Sequence, residues 1–328
     1  MMDLDKIVQA AKGISTFVVS AHANPDADAI GSTLALTLAL ELMGKKGVVY
    51  NADPVPSVLQ FLPGADRFVH KVDGLGQFDA AFAVDCGQIS RVGKELEPIF
   101  AKHPLLINID HHQTNEHYGR LNMADPNASS TGELIYKTLT AMNAPIDINV
   151  ATNLYVAVLT DTGSFRNANS TAEAFDICGR MVRLGVKPDR IADKVYFTQS
   201  FGRLKMLGLT LSTLEGRCEG GVASVVARQA MMKSTSTNKD DLEGFVEELR
   251  TIHGVEVGVL FREDAPETFK ISMRSKGAID VAEIARHFQG GGHHNAAGCT
   301  IKGSIEQVQK SLFDLLLKRL PGNPCATE

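Results

Sequence analysis

Histidine and aspartate recur at short intervals in the first half of this 328-residue chain, in patterns that suit divalent metal ions. The segment His22-Ala23-Asn24-Pro25-Asp26-Ala27-Asp28 gathers an imidazole and two carboxylates around a turn begun by Pro25. For either aspartate alone the plain reading is local, with Asp28 capping the next helix and Asp26 making an Asx turn. With His22 beside them, metal ligation becomes the better reading. Asp85, in Val84-Asp85-Cys86-Gly87, ends an apolar run, where an unpaired carboxylate is costly and a capped turn is the bland alternative. Asp110-His111-His112 ends another such run, and two adjacent histidines behind an aspartate are hard to explain by packing. Asp161 closes an apolar helical stretch. There a carboxylate opposes the helix dipole at a cost of up to ~1 kcal/mol, which a nearby cation would remove. His103 and His117 carry no such marks and read as structural.

The donors are imidazoles and carboxylates with no cysteine among them, and their number suits two ions better than one. Mixed ligation of this kind leans toward Mn²⁺ over Mg²⁺, which prefers oxygen and water. Two such ions, about 3.5–4 Å apart, clamp an in-line phosphoryl displacement and activate its nucleophile. A further signal lies in Gly290-Gly291-Gly292-His293-His294-Asn295-Ala296-Ala297-Gly298. Glycines let backbone N–H groups approach an anion, and the histidines can donate to phosphate oxygens. A flexible turn is the alternative for the glycines alone. No Gly-Lys-Ser/Thr follows, so the run is not a P-loop. Arg274 could add a bidentate phosphate contact.

These residues can act together only if the fold brings them to one edge. The first half alternates β-type apolar runs with helical patterns, which predicts a parallel α/β sheet whose ligands gather at the strands' carboxyl ends. Strands are expected at Thr16–Val19, Val48–Tyr50, Ala80–Val84 and Leu105–Ile109, and helices at Ile30–Met43, Gly132–Met142, Asn149–Leu159 and Ala172–Leu184. A second alternation predicts a strand at Val222–Ala227, a helix at Lys239–Ile252, a strand pair at Val255–Phe261 and Thr268–Met273, and helices at Val281–Phe288 and Ile305–Leu317. The expected division is a metal-binding domain over 1–187, a helical connector over 188–216, a smaller α/β domain over 217–320 and a disordered tail over 321–328.

Hydrophobic residues at 44% and charged residues at 22% are ordinary for a soluble globular protein. No apolar run approaches the ~20 residues that span a bilayer. The start of the chain lacks a signal layout, so the cytoplasm is expected. The five cysteines are scattered, which argues against a zinc cluster or disulfide framework. A formal net charge of −5 speaks against a basic track for long nucleic acid.

Taken in order, these motifs resemble those of the DHH phosphoesterases, named for the run seen here as Asp110-His111-His112. The nanoRNase/pAp phosphatase branch is the nearest match. The resemblance runs from His22 to the Gly-Gly-Gly-His-His segment and lacks no motif residue. It implies that His22, Asp26 and Asp85 hold one ion and that Asp28, Asp85, His111 and Asp161 hold the other, with Asp85 bridging. Manganese is the expected metal, with magnesium possible. His112 would face the scissile phosphate, and Asp110 would orient a ligand histidine. The DHH-associated C-terminal domain would grip the far end of the substrate through Arg274, His293 and His294, with Gly291 and Gly292 beside them and the active site in the cleft between the domains. Arg166 is a further candidate contact. The implied substrates are RNA oligonucleotides of roughly two to four nucleotides and 3′-phosphoadenosine 5′-phosphate (pAp), with no membrane partner and a homodimer left open. A cyclic or linear dinucleotide phosphodiesterase is the alternative, and a catalytically idle nucleotide sensor is the reading from another class.

Overall fold

The computed structural model describes residues 3–217, 220–277 and 279–319. The tail expected over 321–328, with Cys325, lies outside the described residues, as does Cys218. The chain divides into two compact units, Met1–Thr198 and Gln199–Glu328.

The first unit is built on a five-stranded parallel sheet in the order β2-β1-β3-β4-β5. Its strands are β1 (Thr16–Ser20), β2 (Lys46–Tyr50), β3 (Ala80–Val84), β4 (Leu106–Asp110) and β5 (Leu121–Ala124). β1, β3 and β4 are buried almost throughout because both faces of the sheet are covered. The register pairs Ser20 with Ala83 and Val84 with Ile109, so these three strands end level and their following loops leave at one edge. Around the sheet lie α1 (Leu4–Gly13), α2 (Ala27–Leu42), α3 (Glu97–Ala101), α4 (Thr131–Met142), α5 (Ile148–Asp161), α6 (Ala172–Arg183) and α7 (Pro188–Val195). α2 is apolar on nearly every side and buried along most of its length. Its contact with α5 is close enough that a Cβ at Gly31 would lie 2.7 Å from the Asn153 carbonyl oxygen. Gly132 at the start of α4 is held likewise, since its Cβ would lie 2.6 Å from the Ala157 methyl.

The second unit carries a six-stranded mixed sheet in the order β10-β11-β9-β8-β7-β6. Its strands are β6 (Glu215–Arg217), β7 (Val222–Ala227), β8 (Val257–Ala265), β9 (Thr268–Ser275), β10 (Gly291–His293) and β11 (Ala296–Lys302), and its helices α8 (Phe201–Leu211), α9 (Gln229–Thr235), α10 (Phe245–Arg250), α11 (Val281–His287) and α12 (Ile305–Leu316). Phe269, Ile271 and Met273 alternate along β9 and join the core under α11 and α12, while Met206 of α8 and Phe245 and Leu249 of α10 pack on the other face.

The α/β architecture expected from the sequence is the one found, with local differences. The segment 188–216 is shared, with α7 in the first unit and α8 in the second. The helix expected at Lys239–Ile252 is interrupted. A short 3-10 turn at Lys239–Leu242 stops before Gly244, whose φ of 83° is left-handed, and α10 restarts after it. β5, half exposed and containing Asn122, had no apolar run to mark it. Among the described residues no helix is long and apolar enough to cross a membrane, and Cys86, Cys178 and Cys299 are buried free thiols.

Candidate metal centre

The level strand ends bring four segments together. The loop after β1 carries His22, and its shape is set by its neighbours. The Asn51 side chain donates to His22 O at 3.0 Å, Asp53 accepts the Asn24 N–H at 2.7 Å, and the Ala23 N–H donates to Arg91 O at 2.6 Å. His22 Nδ1 lies 2.8 Å from the Ala23 carbonyl, which can only accept, so Nδ1 bears the proton and Nε2 is turned into the site. Asp26 is the N-cap of α2, its Oδ1 accepting from Ala29 N at 3.0 Å. Asp28 does not cap its own helix. Its two oxygens accept the Thr131 and Gly132 N–H groups, at 2.7 and 2.9 Å, at the start of α4.

Asp85 follows β3 with a φ of 51°, a left-handed conformation that aspartate tolerates better than most residues and that re-aims its side chain. Its Oδ1 accepts from Thr131 Oγ1 at 2.9 Å. Asp161 is the last residue of α5, and the Asn169 amide donates to its Oδ2 at 3.1 Å. A left-handed turn follows at once, with positive φ at Gly163, Ser164 and Phe165.

The donor atoms face one another across gaps wider than hydrogen bonds. His22 Nε2 lies 3.5 Å from Asp85 Oδ2 and 3.9 Å from Asp26 Oδ2. His111 Nε2 lies 3.8 Å from Asp85 Oδ1, 3.8 Å from Asp161 Oδ2 and 3.9 Å from Asp28 Oδ2. Three sets of such atoms, His22–Asp26–Asp85, Asp28–His111–Asp161 and Asp85–His111–His112, each lie within 4.8 Å of one another. Gaps of this size are too long for direct hydrogen bonds and suit ligands that share an ion at about 2.0–2.2 Å. The electrostatics agree. Asp28 and Asp85 are 2% and 1% exposed. Burial, with the charges of Asp85 and Asp161, pushes the Asp28 carboxyl well above its ordinary range, and burial raises Asp161 to about 6. Burial works against Asp85 as well, but His22, His112 and His111 keep its carboxyl low. Crowded buried carboxylates of this kind call for cations, and the donor set fits divalent metal ions.

Asp110 Oδ1 lies 2.6 Å from His112 Nδ1. The carboxylate therefore serves His112 and not His111, the histidine named in the expected ligand set. That bond raises the His112 pKa to about 9 against the burial that would lower it. His103 is structural, with Nε2 3.0 Å from Phe78 O and Nδ1 accepting from Leu105 N.

In the second unit the glycine run is a hairpin. Gly291, Gly292 and His293 form edge strand β10, paired with β11. A Cβ at Gly292 would run into Ala296 O, so close strand packing requires a glycine there. His294 Nε2 lies 2.8 Å from Gly277 O. Arg274 donates from Nε to Glu247 at 2.6 Å and lines a cavity of about 240 Å³ with Lys239, Arg262 and Ser272. Arg166 donates to Gly163 O at 2.7 Å. Sequence reading missed Thr131, Asn115 and Asn169, which touch the carboxylates of candidate ligands or Asp110. Only Thr131 carries a local signal, as the last of the three hydroxyl residues Ser129-Ser130-Thr131 that precede a helical pattern.

Residues 16–158 match the model of the DHH family, N-terminal domain, and residues 221–320 match the DHHA1 domain. The chain is 31% identical over 317 residues to the bifunctional oligoribonuclease and PAP phosphatase NrnA of Thermus thermophilus, covering 96% of this chain and 93% of that protein. It is 27% identical to the protein of the same name from Bacillus subtilis, covering 94% and 96%. Among solved structures, an exopolyphosphatase-related protein from Bacteroides fragilis matches with a TM-score of 0.87 and 30% identity, over 96% of this chain and 95% of the other.

Proposed function

The chain belongs to the DHH family, and on that premise we propose that it is a dinuclear-metal phosphoesterase hydrolysing short oligoribonucleotides to mononucleotides and pAp to AMP. The observation that carries this reading is the interlocking of imidazole and carboxylate groups through Asp85 and His111 at one sheet edge. The activities named for the relatives point to the same substrates.

In this reading His22, Asp26 and Asp85 hold one ion, and Asp28, Asp85, His111 and Asp161 hold the other. Imidazole mixed with carboxylate favours Mn²⁺ over Mg²⁺. When bound, such ions draw charge from the phosphoryl oxygens and make water a competent nucleophile at neutral pH. The chain's own groups do the rest. His112 has Nδ1 engaged by Asp110, which leaves Nε2 to donate to a phosphoryl oxygen as charge builds there. Asp28 and Asp85 are pinned by Thr131, so their oxygens need little reorganisation.

Residues 1–187 carry the chemistry and 217–320 select the substrate, joined by 188–216. Arg274, His293 and His294, with Gly291 and Gly292 on the same hairpin, contact its far part, and Arg166 adds a contact from the first unit. A net charge of −5 gives a long strand little to follow, which favours short ones. Buried free thiols suit a reducing compartment, and we place the protein in the cytoplasm. The test is release of mononucleotide from a dinucleotide, and of AMP from pAp, with Mn²⁺ against EDTA. Activity that survives EDTA, or that is confined to cyclic di-AMP or pyrophosphate, would overturn the reading.

A further inference from the structure

A chain of side-chain amides runs from the interior of the first unit's sheet to His112. Asn108 is buried in β4, and its Nδ2 lies 3.1 Å from Ala83 O, Cys86 O and Tyr118 Oη. Its Oδ1 accepts from Asn115 Nδ2 at 2.8 Å. The same Asn115 nitrogen donates to Asp110 Oδ2 at 2.5 Å, and the other Asp110 oxygen is the one that meets His112. The amide can sit only this way round. Asn115 Oδ1 accepts the His117 N–H at 2.7 Å, and a flipped amide would set oxygen against two oxygens. Gly87 packs against the same groups: a Cβ there would lie 3.4 Å from His112 Cβ, 3.5 Å from Asp110 Oδ2 and 3.7 Å from Asn115 Cα. Asp110 is 0% exposed, and among the described residues no other side chain donates to its Oδ2.

We infer that Asn115 is a positioning residue for the reaction: it locks the Asp110 carboxylate so that His112 keeps its proton on Nδ1 and holds Nε2 toward the phosphoryl group. The inference rests on the role proposed for His112. A buried carboxylate with one oxygen unheld can rotate, and the histidine it orients then loses its fixed ring angle and its held Nδ1 proton. Asn115 makes no hydrogen bond to a proposed metal ligand among the described residues, so its effect falls on turnover and not on ion binding.

The experiment compares wild type, Asn115→Ala and Asn115→Asp in wild-type and His112→Ala backgrounds. Asn115→Asp keeps the acceptor for the His117 N–H and loses both donors, which separates the loop turn from the relay. Both Asn115 variants are expected to bind Mn²⁺ as wild type by elemental analysis, and to lose roughly 10- to 100-fold in kcat on a dinucleotide with KM little changed. In the His112→Ala background the same changes should cost less than about twofold, because the group they position is gone. In the ion-free protein, ¹⁵N spectra of the His112 ring should show an Nδ1 proton held in a hydrogen bond in wild type and a mobile, exchanging ring in both variants. Equal losses in both backgrounds, recovery of kcat in Asn115→Asp, loss of Mn²⁺, or an unchanged His112 spectrum would each overturn the inference. A wild type that hydrolyses nothing would overturn the proposed function instead, and the His112 spectrum would still decide the part played by Asn115.

Discussion

The carboxylate of Asp28, at the start of α2, caps α4 by accepting the N–H of Thr131, 103 residues further along the chain. The same threonine sends its hydroxyl to Asp85, so one residue steadies two acidic groups with two different atoms. Thr131→Val keeps the backbone contact and the side-chain shape but removes the hydroxyl. It should lower Mn²⁺ affinity by about 10-fold, and Thr131→Ser should restore it. Mn²⁺ titration by calorimetry checks this, and a valine variant that binds like wild type would show that Asp85 needs no such support.

Asp161 gives a pH dependence with a definite sign. Burial raises its carboxyl from an ordinary 3.8 to about 6, His111 opposing and Asp85 adding to the rise. In the ion-free protein the stability tied to that proton is complete below 3.8 and is lost as the pH rises through 6. Asp161→Asn escapes this loss. In EDTA it should melt above wild type, by roughly 3–6 °C near pH 7.5, with the gap closing as the pH falls toward about 4. With Mn²⁺ present the order should reverse, because the variant lacks a proposed ligand. Identical melting in EDTA at both pH values would mean that the carboxylates are not crowded as described.

Division of labour between the units is tested by Arg274→Ala and His294→Ala. Losing a charge-assisted phosphate contact costs about 1.5–3 kcal/mol, or roughly 10- to 150-fold in kcat/KM on a dinucleotide. Metal content should not change. Bis-p-nitrophenyl phosphate, too small to use such contacts, should be hydrolysed nearly as before. Arg274 is already bonded to Glu247, so the substrate must compete for it, and Glu247→Gln should lower KM on the dinucleotide. Equal losses on large and minimal substrates would place these residues in the support of the metal site.

Much of this was legible in the residues themselves. β1, β3 and β4 announced their ends because a His or Asp follows each β-type run at once or within three residues, and strand ends are where a parallel sheet gathers ligands. The helper residues were not legible. Thr131 reaches Asp85 across 46 positions and Asp28 across 103, and no local pattern records a contact of that length. Asp26 and Asp28 are alike in sequence, and only the packing of α2 beside α4 shows which caps its own helix. The partner of Asp110 could have been read from the sequence, since residues two apart in extended chain share a face and Asp110 therefore sides with His112. The β10–β11 hairpin was hidden because its glycines and histidines lack the β-branched and aromatic residues that mark a strand.

Everything turns on Asp85 serving two ions at once. The most direct measurement is the number of Mn²⁺ ions retained per chain after gel filtration, in wild type and in Asp85→Asn, with hydrolysis of a dinucleotide at saturating Mn²⁺ followed alongside. Asp85 lies between His22 and His111, at 3.5 and 3.8 Å. Two ions per chain are predicted for wild type, and for Asp85→Asn fewer than one, with the fold intact by circular dichroism and turnover lowered by ~10³-fold or more. Near-wild-type turnover in Asp85→Asn, or a single ion in the wild-type protein, would contradict the dinuclear centre.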